Sequence, residues 1–258
     1  PSSPMVAGYI TGLTTDLSSR GITHLGIESL HFHGAHHGEH HERFFLEMGS
    51  VTAFLLSLCF CRWCISHFSG DGDALKNKVA TLLQPFLEES DPWLSLQLTK
   101  ATLGEICGDE LLDYLASREA IVAQRYQEVS AAANRYNVRT KFIDQAPLIE
   151  GSGSTPLRMS WQVGIDNSLI DQHVDIFEPL IYRKNAQEVA AVAAHYRNEL
   201  TSDLTAILRP TFPDNLSEQS LTEKVAALRA VGISDIDFYL LDAMRPRDVE
   251  WIKRAITS

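Results

Sequence analysis

Residues 174–208 read VDIFEPLIYRKNAQEVAAVAAHYRNELTSDLTAIL. Val174 to Phe177 is a short apolar run, Ala186 to Glu199 has helical length and patterning, and Leu204 to Leu208 is a second apolar run. The alternation continues with a helix over Glu218 to Val231, a strand over Ile236 to Leu240 and a helix over Pro246 to Thr257. Short apolar strands, each followed by an amphipathic helix of about 10–15 residues, are the signature of βαβ units and a parallel sheet.

Upstream the pattern is wider. Ile22 to Glu28 reads as a strand that delivers a carboxylate at its end, and Arg139 to Asp144 as another. Between them stands a helical insertion over about residues 43–136, not a minimal crossover. Helices are expected there over about Val51 to Leu58, Ala74 to Glu88, Trp93 to Leu98 and Gly108 to Tyr136. An opening helix runs from Pro4 to about Leu17, with Ser3 as cap and Pro4 in the first turn, where its missing N–H costs nothing. Met5, Tyr9, Leu13 and Leu17 lie along one of its faces. Gly151 to Ser154 is a loop, and Leu157 to Val163 a short strand or edge segment.

Each of the five strands ends on a polar group: Glu28, Asp144, Glu178, Arg209 and Asp242. Barrel enzymes keep their chemistry at that C-terminal rim. No Gly-rich phosphate loop follows any strand, which disfavours a doubly wound sheet. The expected fold is therefore an α/β, TIM-type (β/α)₈ barrel. Residues 1–258 form one partial domain that holds five units and lacks the first three. An exposed sheet edge would then favour a homo-oligomer.

The totals exclude several classes. The net charge is −11, and such a field does not attract nucleic acid or an anionic membrane. No apolar run reaches the ~18 residues that span a bilayer. The chain starts at Pro1 without a basic-then-apolar leader, so no signal peptide is expected, and without Met, so Pro1 is not taken as the native N-terminus. Four cysteines in 258 residues do not make a disulfide scaffold. Cys59, Cys61 and Cys64, crowded together, read as metal ligands in a reducing, cytoplasmic setting. Thiolates at that spacing converge on one tetrahedral ion with a fourth ligand, for which His67 and Cys107 are candidates. The plainer alternative is a set of free thiols on an apolar segment.

The loop HFHGAHHGEHHER carries His31, His33, His36, His37, His40 and His41. If helical, it would set His33 with His37 and His36 with His40 on shared faces, as a metal site needs. Otherwise it is a polar loop at the barrel mouth whose histidines donate hydrogen bonds to substrate, His31 and His33 first, or to neighbouring loops. Trp161, Tyr182 and Tyr239 are candidates to stack on sugar faces, and Arg209 to clamp a carboxylate or bridge Asp242.

In motif order, residues 1–67 resemble the glycoside hydrolase family 42 β-galactosidases and their glycosidase-like relatives. In that family a helix opening C-P-x-S-P precedes strand four, that strand ends in the acid/base glutamate, and a zinc-binding C-x-C-x-x-C follows. Pro1-Ser2-Ser3-Pro4 matches the helix opening without its cysteine, Glu28 matches the glutamate, and Cys59, Cys61 and Cys64 match the zinc motif. The resemblance implies a structural zinc whose fourth cysteine precedes Pro1. It also implies a glycoside hydrolase acting on a carbohydrate, with Glu28 as general acid/base in a partly apolar pocket. The family has Asn where Ile27 stands, and its strand-seven nucleophile position holds Arg209 here. The second carboxylate is thus expected from Glu178 or Asp242, with Glu178 preferred because Pro179 restricts its backbone. The alternatives are a non-catalytic sugar-binding barrel and a histidine-metal hydrolase.

Overall fold

The computed structural model describes residues 1–34, 47–145 and 160–258. His36, His37, His40, His41, Arg43, the 151–154 loop and residues 157–159 lie outside the described residues. The chain packs as two compact units. One comprises Pro1–Gly12, Leu30–Arg125 and Trp161–Asp166; the other comprises Leu13–Ser29, Tyr126–Ser160 and Asn167–Ser258.

The second unit holds the sheet. Its strands are β1 (His24–Ile27), β2 (Arg139–Asp144), β3 (Ile176–Pro179), β4 (Asp203–Leu208) and β5 (Asp235–Phe238). All are parallel and stand in the order β1-β2-β3-β4-β5. The register sets alternate residues on opposite faces. Leu25, Ile27, Phe142, Phe177, Leu204, Ala206 and Leu208 share one face. His24, Arg139, Lys141, Glu178, Thr205 and Asp237 share the other.

The apolar face packs an aromatic chain. Tyr126 meets Phe142 edge to face at 4.8 Å, Phe142 meets Phe177 at 4.7 Å, and Phe177 meets Tyr196 at 6.0 Å. The polar face is concave. Lys141 Nζ on β2 lies 3.0 Å from Asp237 Oδ2 on β5. Three strand spacings of a flat sheet would set those backbones ~14 Å apart, too far for side chains standing upright on it. The sheet is curled.

It does not close, which corrects the expected (β/α)₈ barrel. The sheet has five strands, and β1 and β5 are its edges, without a strand partner beyond β2 and β4 among the described residues. Parallel order and curl are shared by open and closed sheets; only strand number and stagger decide closure.

The first unit is helical: α2 (Ser50–Leu56), α3 (Arg62–Ser66), α4 (Gly72–Glu88) and α5 (Lys100–Cys107), with the larger part of α1 (Pro4–Ser18) and of α6 (Asp109–Asn134). Asp91 pins the start of α2, accepting from Gly49 N at 2.7 Å and from Thr52 Oγ1 at 2.7 Å. Only glycine fits at residue 49, because a Cβ there would stand 2.9 Å from the Leu94 Cα. Trp93 N also donates to Asp91, at 2.8 Å. Residues 93–96 are consequently a turn, not the expected helix. Helix α7 (Asn167–Asp171) precedes β3 and α8 (Ala186–Glu199) follows it. Helix α9 (Glu218–Ala230) precedes β5 and α10 (Pro246–Thr257) ends the chain. Ser160–Val163 is one 3₁₀ turn rather than a strand. No helix of the described residues is long and apolar enough to cross a membrane.

Candidate functional site

On the concave face three charged groups from three strands meet. Lys141 Nζ donates to Glu178 Oε1 at 2.9 Å and to Asp237 Oδ2 at 3.0 Å. Glu178 is buried, at 3% exposure, while the Asp237 side chain is 56% exposed. Burial, and then the hydrogen bond with Asp237, raise the Glu178 carboxyl to about 7. The same contact with Glu178, outweighing burial and helped by Lys141, lowers Asp237. For Lys141, burial is outweighed by its two carboxylate bonds, and its pKa rises. Two close carboxyls share one proton, which belongs to the pair and titrates near neutrality.

Lys141 and Asp237 also open on a cleft of about 540 Å³ that includes His24, Arg139, Thr205 and Asp235. That volume suits a small ligand. Its walls come from the strand starts and from Arg229 and Ile256 on the last two helices. Beyond the strand ends a second group gathers. Arg209 Cζ lies 4.3 Å over the Tyr182 ring, and Tyr182 stacks on Tyr239 at 6.5 Å. The Tyr182 hydroxyl is buried without a hydrogen-bond partner among the described residues. Burial raises its pKa, and Glu28 is among the charges that face it. An orphaned donor beside two rings and a guanidinium is a place for a polar ligand.

Several expected residues take other positions. Glu28 is exposed rather than set in an apolar pocket, and its Oε1 accepts from Gln145 Nε2 at 2.5 Å. Ser29, which turns the chain away after it, has φ 62. Asp242 sits exposed on the 3₁₀ turn Leu241–Ala243, and Arg209 bridges Asp214 at 3.2 Å, not Asp242. Asp144 belongs to the opposite face, where the Tyr196 hydroxyl donates to it at 2.6 Å. Trp161 is core in the helical unit, edge to face with Phe54 at 5.0 Å. His31 and His33 lie in that unit too, with ring centroids 6.3 Å apart, and the His31 Nδ1 is 2.7 Å from the Phe32 carbonyl oxygen. Lys141 and Asp237 were not singled out from sequence. A mid-strand charge on a run otherwise reading as sheet was the available signal.

The helical unit carries the cysteines. Cys59, Cys61 and Cys64 place their Sγ atoms within 4.8 Å of one another, close enough to bind a metal ion. Zn–S bonds of about 2.3 Å in a tetrahedron set sulfurs ~3.8 Å apart, and Cys61 and Cys64 are separated by 3.6 Å. Burial works to raise the Cys61 thiol, but hydrogen bonds from Cys64 and Cys59 bring it down to about 7. Cys64 is pushed up to about 12 by burial. Ser2 Oγ is 3.1 Å from Cys64 Sγ, and Tyr114 donates its hydroxyl to the Cys59 carbonyl. Neither His67 nor Cys107 joins the group, which is the one such group among the described residues.

Comparison with protein-family models, with characterised proteins and with solved structures gives no match. The chemistry of the two groups is the guide to function.

Proposed function

We propose that the concave face is an acid–base site that hydrolyses a carbohydrate or glycoside. The Glu178–Asp237 pair carries the reading: it is a carboxyl pair with a proton available near neutral pH, held by Lys141. Glycoside hydrolysis needs a proton donor and a second carboxylate. The pair supplies the donor from Glu178, the member whose carboxyl is raised, with Asp237 as its ionised partner. Glu28 supplies the second carboxylate, oriented by the Gln145 amide. The sequence-based expectation gave Glu28 the donor role; the burial of Glu178 favours giving it to the pair instead. Tyr239, exposed beside Tyr182 and Arg209, offers a ring face to a sugar.

The cysteine group is proposed as a structural zinc site, with Cys59, Cys61 and Cys64 as three of four ligands. The ion would tie the segment between α2 and α3 to α3 itself, which carries Cys64, and take no part in the reaction.

The test is a panel of aryl glycosides assayed with wild type, Glu178→Gln, Asp237→Asn and Glu28→Gln. Wild type turns over at least one, and each variant loses 10²-fold or more, as expected for loss of general acid–base catalysis. Absence of turnover of every glycoside by the wild type, or full activity in Glu178→Gln, overturns the reading. Saturable sugar binding without turnover would mark the non-catalytic alternative.

A further inference from the structure

Arg118, on α6, is 0% exposed. None of its three guanidinium nitrogens has a hydrogen-bond partner among the described residues. Its flat face lies 4.4 Å over the Phe32 ring, a contact that serves the π-face and leaves the N–H edges unsatisfied. A buried charge without a counter-charge is costly, and arginine cannot escape by losing its proton. Burial pulls its pKa down only to about 10, so it stays cationic at neutral pH.

The acidic groups that face Arg118 are Tyr114, Cys64, Cys59 and Glu119. Glu119 is already bound by Lys100 at 2.9 Å. Tyr114 spends its hydroxyl proton as a donor to the Cys59 carbonyl. Arg118 follows Tyr114 by four residues, one turn along the same helix face. Tyr114 in turn holds the cysteine segment through its hydroxyl. The cysteines are what remains. Metal binding removes whatever protons they still hold. Three thiolates on a divalent ion leave a net charge of −1.

We propose that Arg118 is the buried counter-cation of a metal–thiolate centre on Cys59, Cys61 and Cys64. This rests on the zinc reading above and goes beyond it, since it names the residue that offsets the negative charge of the loaded centre. Arg118 is a positioning and charge-balancing residue, not a ligand. It ties metal affinity to the helical unit's core: the metal-free chain buries a guanidinium without a hydrogen-bond partner among the described residues, and the loaded chain sets a negatively charged centre against it.

The test uses the full chain, Arg118→Met and Arg118→Lys. Cobalt(II) is the spectroscopic probe for thiolate ligation, zinc affinity is read by chelator competition, and urea stability is measured with and without zinc. Wild type should show thiolate-to-cobalt charge transfer. Arg118→Met should bind zinc about 10–100-fold more weakly, the range for outer-shell partners of metal ligands, and Arg118→Lys should recover most of the loss. The metal-free Arg118→Met chain should be at least as stable as metal-free wild type, yet less stable once both are loaded. A merely structural arginine predicts the same destabilisation in both states. Equal zinc affinity in wild type and Arg118→Met, equal destabilisation with and without zinc, or an Arg118→Met chain that fails to fold overturns the proposal. A wild-type chain without the cobalt charge-transfer band overturns the zinc reading itself, and this one with it.

Discussion

Lys141 holds two carboxyls that would otherwise repel, and they reach it from strands one and three positions away in the sheet. Replacing it with methionine leaves Glu178 and Asp237 facing each other without a cation. The expected loss is about 1–3 kcal/mol, below the figure for a fully buried pair because Lys141 and Asp237 reach solvent. Unchanged urea stability in Lys141→Met contradicts that role. The pH dependence has a definite sign. Glu178 is raised from 4.5 to about 7, so between those values the folded chain keeps a proton the unfolded chain has released. Its stabilising effect is full below about 4.5 and is lost as pH rises through about 7. Wild type should therefore lose stability relative to Glu178→Gln across that window, as paired denaturation curves will show. Glu178 was legible in the sequence as a carboxylate at a strand end beside Pro179. Its partners were not, because Lys141 and Asp237 stand within strands, and only register and curl show that they face each other.

At the scale of elements, caps were the dependable signal. Asn185 accepts from Glu188 N at 2.8 Å at the start of α8, and Ser217 accepts from Ser220 N at 3.2 Å at the start of α9. Both helices begin where the sequence places them. Thr99 caps α5 in the same way, accepting from Thr102 N at 2.9 Å. That helix was missed because it is short and ends at Gly108, which has φ 80, just before α6. The stripe on α1 teaches the opposite lesson. Met5 is 78% exposed and Tyr9 70%, since periodicity shows that a helix has an apolar face and not that anything covers it. The sheet's apolar face is different, because its aromatic chain is continuous. Phe142→Ala removes the ring between Tyr126 and Phe177, and should cost about 3–5 kcal/mol by leaving a cavity. A cost below about 1 kcal/mol in urea denaturation would show that the chain of rings is not packed as described.

At the scale of the whole molecule, a parallel β/α order was readable from residues 174–257, and closure was not. Strand count and stagger are properties of the assembled sheet, and no local stretch encodes them. The two edges, β1 and β5, have no outer strand partner among the described residues. We expect self-association through such edges, visible as concentration-dependent sedimentation; a single monomer species up to high concentration contradicts it. The net charge of −11 opposes that association, so it should strengthen with added salt. Everything proposed for the concave face depends on one proton being held there near neutral pH. The direct measurement is a carbon-13 NMR titration of the glutamate side-chain carboxyls, with the Glu178 signal assigned by its loss in Glu178→Gln. The account predicts a Glu178 midpoint near 7; a midpoint at the ordinary value, about 4.5, would contradict it.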